Sequence, residues 1–416
     1  MVADSYDVII AGGGMVGASL AVALADLPLR VAMVEPIELG SDAQPSFDER
    51  TIALNAASQA IFETLGVWPD MAAEAAAMRS IHISDQGRFG VTRMHAEDYG
   101  LEALGQVVPT RTVGRALFTR IEASERIDFL CPARVQALST DNAEQVQVAL
   151  DDGRQLVARL LVGADGGRSQ VRQCLGIDAA IDDYQAKAIV SSVASAKPME
   201  GRAFERFTAS GPIALLPGPQ HRTVVVWSQP SARADALLAL DEEAFLAELN
   251  AGFGRRLGAL SALGRRQAYP LYRVLAQRIV GPRAVLIGNA ANHLHPVAGQ
   301  GFNLGLRDAA TLADMLADAV AAGQDIGSGQ RLSAYAQRRQ ADRQATAGMT
   351  HGLIRVFSNH TPVLRTGRNL GLLMTDLLPG LKRRMAVRST GFAGRPPRLA
   401  RGLSVRSPEP QRGAPI

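Results

Sequence analysis

Three times along the chain an unbroken apolar run ends in a cluster of glycines and gives way to apolar residues at helical spacing. The first is Asp7 to Ala11 (DVIIA), followed by Gly12 to Gly17 and a helical pattern reaching about Asp26. The second is LLVGADGGRSQVR, from Leu160 to Arg172, and the third is VLIGNAANHLHPVAGQGFNLGLRDAATL, from Val285 to Leu312. Apolar runs without alternation bury both faces of a strand, which predicts a parallel sheet covered by helices. Val31 to Val34 adds a strand that ends at Glu35, and Leu130 to Leu138, Val146 to Leu150 and Gln155 to Val162 add three more. From Tyr184 to Tyr272 the period changes to two, through AIVSSVAS, GRAFERFT, IALLPG and RTVVVWSQP, which predicts an antiparallel sheet with a helix near Glu242 to Asn250.

The last part of the chain reads differently. Leu332 to Thr350 predicts a polar helix with charge pairs on a solvated face. Leu353 to Met385 carries many Leu and Met residues with scattered Arg, broken by Pro362 and Pro379, and predicts amphipathic helices whose first use is core packing and whose second is contact with lipid. Gly394 to Ile416 is rich in Pro, Gly, Arg and Ser and predicts a disordered basic tail. The expected organisation is α/β. Residues 1–75, 101–180 and 276–345 form a nucleotide-type domain of parallel sheet and helices. Residues 76–100 and 181–275 form an inserted, mostly antiparallel β domain for a substrate, and 346–393 form C-terminal helices before the tail at 394–416.

Composition narrows the classes. A chain of 416 residues is long enough for about two domains and a sizeable core. Hydrophobic residues are 47% and charged residues 20%, with no run of uncharged apolar residues long enough to span a bilayer, and the first strand follows Met1 almost directly, which predicts a cytoplasmic protein. Cys131 and Cys174 are too few for a disulfide framework or a metal cluster, so no metal is expected. The net charge of +4 is uneven, because Lys382 to Ile416 holds nine basic residues against Glu409 alone. Without interleaved aromatics that tail does not read as a nucleic-acid site, and attraction to an anionic membrane surface is the functional alternative to a solvated tail.

The candidate chemistry sits in the glycine turns. Gly12 permits a tight turn, Gly14 lets a pyrophosphate approach, Gly17 lets the helix pack on the strand, and Glu35 at the tip of the next strand can accept ribose hydroxyls. That is a Rossmann-type dinucleotide fingerprint. Gly299, Gly301 and Gly305 open a helix whose first amides, near Gly301 to Asn303, present partial positive charge to an anionic or reducible ring. Arg50 could clamp a pyrophosphate or cover a ring edge, with an ion pair to Asp48 or Glu49 as the alternative. Asp165 could orient cofactor groups or hold its own turn. His293, His295 and Tyr269 are candidate proton-transfer groups. One face of GRAFERFT, carrying Phe204, Arg206 and Thr208 or else Glu205 and Phe207, could line a pocket.

Taken together and in this order, the three motifs resemble the FAD-dependent aromatic hydroxylases of the single-component para-hydroxybenzoate hydroxylase type, over nearly the whole chain. SFDERTIAL, EDYGLEALGQVV, GRAFERF, AYPL and HPVAGQGFNLGLRDA are most similar to the ubiquinone-biosynthesis branch. The resemblance implies FAD held by Gly12, Gly14, Gly17, Glu35, Arg50, Arg111, Asp165, Gly288, Asn289, Pro296, Gly299, Gln300, Gly301 and Asn303. It further implies NAD(P)H as reductant, dioxygen activated as a flavin hydroperoxide, and a polyprenyl phenol, a 2-polyprenyl-6-methoxyphenol foremost, as substrate. Phe204, Arg206 and Phe207 are the pocket candidates. A sister hydroxylase acting at another ring position and a flavin-binding scaffold without turnover are the alternatives. A biosynthetic protein complex and a peripheral site on the inner face of the membrane are the implied surroundings. Where the broader family has Gly-Asp this chain has Gly288-Asn289, which keeps an acceptor oxygen and loses the charge.

Overall fold

The computed structural model describes residues 4–38, 50–294, 299–357 and 362–407, with side chains omitted at 351, 353–357 and 362–368. The strand Asp4–Ala11 lies at the centre of the first sheet. It pairs in parallel with Val31–Val34 on one side and Gln155–Gly163 on the other, and those pair in parallel with Ile127–Leu130 and Ala284–Leu286. Val8, Ile9 and Ile10 are wholly buried, the double-sided burial that their unbroken apolar run predicts. Val135–Ser139 and Val146–Leu150 extend this sheet in antiparallel fashion. The expected single strand from Leu130 to Leu138 is therefore two strands, Ile127–Leu130 and Val135–Ser139. Pro132 lies in the interruption, where it offers no amide to a ladder.

The second sheet has the strand order Asn292–His293, Gln267–Ala276, Ala179–Ser195, Thr223–Pro230, Gly211–Pro217, Arg202–Thr208, Ser80–Asp85, Val91–His95. Its pairings are antiparallel except for Arg202–Thr208 with Ser80–Asp85, which run parallel. One face is covered by the helices Ser231–Leu238 and Glu242–Phe253, with Phe204, Ile213, Trp227, Phe245 and Leu249 packed between. The other face, the cleft side, is turned to a small third sheet of Thr51–Asn55, Gly105–Pro109 and Ala76–Met78 and packs on it in part. There Ala203 and Val224 pack with Met78 and Val107, and Ala53, Leu216 and Val226 close in around them.

Two expectations at the C-terminal end are corrected. In the helix Gly329–Phe357 the charged residues do not all face solvent, because this helix packs on Gln300–Ala321 and buries Tyr335 and Arg339. Arg339 and Arg307 both reach Asp342 at 2.9 Å, and Arg339 also reaches Asp308 at 2.7 Å. Burial raises the Asp342 carboxyl, but the two arginines outweigh it and hold it down to about 2. Polarity misled the reading because buried charges are tolerated when paired. The tail beyond Gly394 is likewise ordered through its described part, to Ser407. Arg398 is buried, its amide donates to Asp314 Oδ2 at 3.0 Å and its guanidinium pairs with Asp318 at 2.6 Å, while Leu399, Ala400 and Val405 join the main core. A few well-placed residues anchor a segment whose average composition argues for disorder. Residues 408–416 lie outside the described residues.

Candidate functional site

The Gly12–Gly17 turn is fixed by close approach. Gly12 has φ +109°, and a Cβ there would stand 2.5 Å from the Ala164 carbonyl oxygen, while a Cβ on Gly17 would stand 2.0 Å from the Gly12 carbonyl oxygen. A Cβ on Gly14 would meet nothing within 4 Å, so the turn is tight against protein at Gly12 and Gly17 and open at Gly14. The helix Met15–Leu24 starts at Gly14 with no side-chain cap and no acidic residue in its first turn. Its first amides are thus left to an electron-rich ligand. Glu35 is buried and accepts from Gly13 N at 2.6 Å and Ile37 N at 3.0 Å, which ties the strand tip to the turn.

A second helix start faces the same region. Gly299, at φ +60°, opens the helix Gln300–Ala321, again with no side-chain cap. A Cβ on Gly299 would lie 3.1 Å from Ala53 Cβ, and one on Gly305 would lie 2.9 Å from Val16 and 3.0 Å from Gly288 Cα. Gly305 thereby lets the first helix and the third glycine turn close on each other. Asn303 donates to Ala53 O (2.8 Å) and Gly299 O (2.6 Å) and accepts from Asn55 N (2.9 Å) and Ser58 Oγ (2.7 Å). Its amide thus has a protein partner at each of its four positions, so it locks Thr51–Asn55 onto the helix start and leaves only its main chain to a ligand. Gln300 is buried beside it, and Gly301 has open surroundings. Gly288 N donates to Asp308 Oδ2 at 3.2 Å, and Asn289 is exposed with no described partner. Asp165 accepts from Ser169 Oγ and from Val171 N, and burial pushes its carboxyl up. It holds its own turn, the structural alternative weighed from the sequence.

The remaining candidates separate into groups. The Arg50 guanidinium lies 4.9 Å over the Tyr269 ring, and Tyr269 Oη donates to Gln267 Oε1 at 2.6 Å. His293 stands on the other face of that strand, stacked on Tyr272 at 4.3 Å beside Gly167, and burial pushes its imidazole down. His293 Nδ1 is buried without a partner among the described residues. Arg111 forms an ion pair with Glu74 at 3.3 Å. His295, Pro296, Asp48 and Glu49 lie outside the described residues. The strand Arg202–Thr208 splits the pocket candidates by alternation. Phe204 and Arg206 face the covering helices, with Phe204 edge-on to Phe253 at 5.5 Å, so neither lines the cleft. Phe207 is on the cleft side, packed beneath Leu372, Met385 and Ala386.

Two further residues bear on the site: Arg172, which the sequence reading did not assign, and Glu205, which it placed only on one of two alternative pocket faces. Arg172 is buried and donates to Ala290 O (2.9 Å) and Gly167 O (3.0 Å), bridging the second and third glycine turns. Glu205 is on the cleft side of the second sheet, in register with Ile83 and Ala214, and Ala214 is in register with Val226. Its carboxylate has no hydrogen bond or ion pair among the described residues. Burial among apolar neighbours pushes it up to about 7 while part of the side chain stays accessible, the condition of a group lining a cleft. The signal available beforehand was a carboxylate at the cleft-side position between two apolar cleft-side positions, Ala203 and Phe207.

The two uncapped helix starts, the open Gly14 and the glycine-closed turns suit a dinucleotide with an electron-accepting ring. A family model described as FAD binding domain matches residues 5–349. The ubiquinone hydroxylase UbiL of Rhodospirillum rubrum is 37% identical over 96% of this chain and 93% of its own. The 3-demethoxyubiquinol 3-hydroxylase of Escherichia coli is 33% identical over 91% of this chain and 96% of its own. Among solved structures, p-nitrophenol 4-monooxygenase PnpA from Pseudomonas putida DLL-E4 is 17% identical with a TM-score of 0.76, covering 94% of this chain and 99% of that one, a likeness of fold.

Proposed function

Since the chain belongs to the FAD-binding family of flavoprotein aromatic hydroxylases, we propose that it hydroxylates the ring of a polyprenyl phenol on the route to ubiquinone, with a 2-polyprenyl-6-methoxyphenol as substrate. Bound FAD supplies the redox chemistry, passing reducing equivalents from NAD(P)H to dioxygen. The turn at Gly12, Gly14 and Gly17 would hold its pyrophosphate, and the helix start at Gly299 to Asn303 would face its ring.

The observation that carries the reading is the apolar side of the second sheet where it meets the glycine-opened helix start. Ala53, pinned by Asn303 beside Gly299, packs against the cluster of Met78, Val107, Ala203 and Val224, so the helix start adjoins this apolar floor. Glu205 lies two positions along the strand from Ala203, on the same side. A carboxyl titrating near neutrality can accept the phenol proton, and the ring is more electron-rich once that proton has gone. The apolar residues around it exclude water and suit a hydrocarbon-bearing ring. Tyr269 and Gln267 line the same face about four strand spacings away, roughly 19 Å, too far to touch the atom that Glu205 reaches.

The Escherichia coli relative supports a second reading, in which the acceptor is a demethoxyubiquinol and another ring carbon is oxidised. Mass spectra of the quinone lipids in cells with and without the protein decide between them. Accumulation of the polyprenyl methoxyphenol supports the first reading, and accumulation of a demethoxyubiquinol supports the second. An unchanged quinone profile removes the protein from this route. Association with a membrane or with partner proteins of the route fits a water-insoluble substrate and belongs to the same proposal; among the described residues no helix is long and apolar enough to cross a membrane.

A further inference from the structure

At the end of the second sheet, where the turn from Ser80–Asp85 to Val91–His95 meets Arg206 and Arg256, a cavity of about 380 Å³ is lined by Asp85, Gly87, Arg88, Phe89, Arg206 and Arg256. Its charges do not balance. None of the three arginines has a carboxylate within ion-pair distance among the described residues, and Asp85 already accepts from Asn369 Nδ2 at 3.2 Å. Among the described residues Arg206 donates no hydrogen bond, and its Nε is buried without a partner. Arg256 Nη1 lies 2.6 Å from His82 Nε2, and burial, with Arg256 next, pushes that imidazole down to about 4, so it is a neutral acceptor and adds no charge. Burial and the neighbouring Arg256 also push the Arg206 guanidinium down. The helix Glu242–Phe253 ends nearby, with Gly254 about 3.7 Å from Arg206 by its would-be Cβ, but a helix terminus offers only about half a negative charge.

We propose that this cavity is a binding site for a phosphate dianion, of the phosphate-monoester or inorganic phosphate class, held by Arg206 and Arg256 with Arg88 at the rim. Three guanidiniums and one carboxylate leave an excess of two positive charges, which a monoester dianion matches and a single carboxylate does not. The guanidinium fork accepts two phosphate oxygens at once. Phe89, 70% exposed at the mouth, adds an apolar surface, and Leu370 on the adjoining helix is 49% exposed, so the phosphate can come from a lipid headgroup as well as from free phosphate. The site is separate from the cleft and does not depend on the reaction proposed above.

Calorimetric titration of the FAD-loaded protein with inorganic phosphate, against chloride at matched ionic strength, tests it. Saturable binding of one phosphate is expected, weakened about tenfold or more in Arg256→Gln and less in Arg88→Gln, with flavin content as in the parent protein. Arg88→Gln keeps the test valid if the change at Arg256, which also removes its contact with His82, impairs folding. Sedimentation with phosphatidylcholine vesicles, with and without phosphatidate, separates the sources. Phosphatidate-dependent binding lost in Arg256→Gln identifies a lipid headgroup, and phosphate binding without vesicle binding identifies free phosphate. Absence of saturable phosphate binding, or binding unchanged in both variants, overturns the proposal.

Discussion

The glycine turns of the first sheet and the cleft side of the second sheet build their parts of the site from different material. In the turns the working groups are main-chain amides, and side chains such as Glu35, Asp165, Arg172 and Asn303 are used to fix the backbone. On the cleft side the backbone is an ordinary ladder, and the proposed working group is a side chain, Glu205, with no hydrogen bond or ion pair among the described residues. A backbone-built site tolerates little change in shape and much change in charge; a side-chain-built site does the reverse.

Four substitutions press on that contrast. The largest effect is expected from Gly17→Val, because atoms would overlap the Gly12 carbonyl and the first helix cannot move away from its strand. A loss above about 4 kcal/mol, with no flavin retained, should appear in melting and in the 450 nm region of the spectrum. A yellow protein of parental stability would end the claim that the backbone makes the cradle. Phe204→Ala empties the helix-covered core and should cost about 3–5 kcal/mol, with flavin affinity preserved in whatever folds. If that variant instead alters substrate KM at unchanged stability, the assignment of sides along the strand is wrong.

Glu205→Gln comes third. The carboxyl is raised from 4.5 to about 7, so the folded state binds the extra proton and its stability falls as pH rises from about 4.5 through 7. The amide should be nearly silent at pH 4.5 and more stable than the parent by about 1–3 kcal/mol at pH 8, while kcat falls and loses its acidic limb. Equal stability differences at both pH values would remove the carboxyl from an apolar setting. The smallest effect belongs to Asn289→Asp. That side chain is exposed and has no partner among the described residues, so melting should move by no more than about 0.5 kcal/mol, and flavin affinity should change only as far as one added charge alters it.

The same contrast explains what could be read beforehand. The turns announced themselves because Gly12, Gly17 and Gly305 occupy places that a Cβ cannot, and such needs leave the same letters at the same spacing. The parallel strands were legible from runs such as Val8 to Ile10. Alternation along Arg202–Thr208 showed two sides but not which one faced the cleft, since Phe204 and Phe207 are apolar on both. Arg172 gave no local sign, because its acceptors, Ala290 O and Gly167 O, belong to turns brought together only by folding. Arg398 was hidden by the composition around it, and Asp342 by a helix that looks solvated until its neighbour is known.

The anchoring of Arg398 has a topological consequence. The helices Pro362–Leu377 and Pro379–Ser389 lie across the second sheet, where Thr92 Oγ1 donates to Leu372 O at 2.8 Å and Arg93 N donates to Asp376 at 2.8 Å. Upstream they follow a helix clamped by Asp308 and Asp342, and downstream the chain is fastened at Thr390 O, which accepts from Ala57 N, and at Leu399 O, which accepts from Thr64 Oγ1. A segment held at both ends moves as a handle and not as a flap. It can lift from the sheet only by stretching between two fixed points, so its excursions are bounded by its contour, and only a cut upstream of Thr390, the first of the downstream fastenings, would turn the closed handle into a free arm.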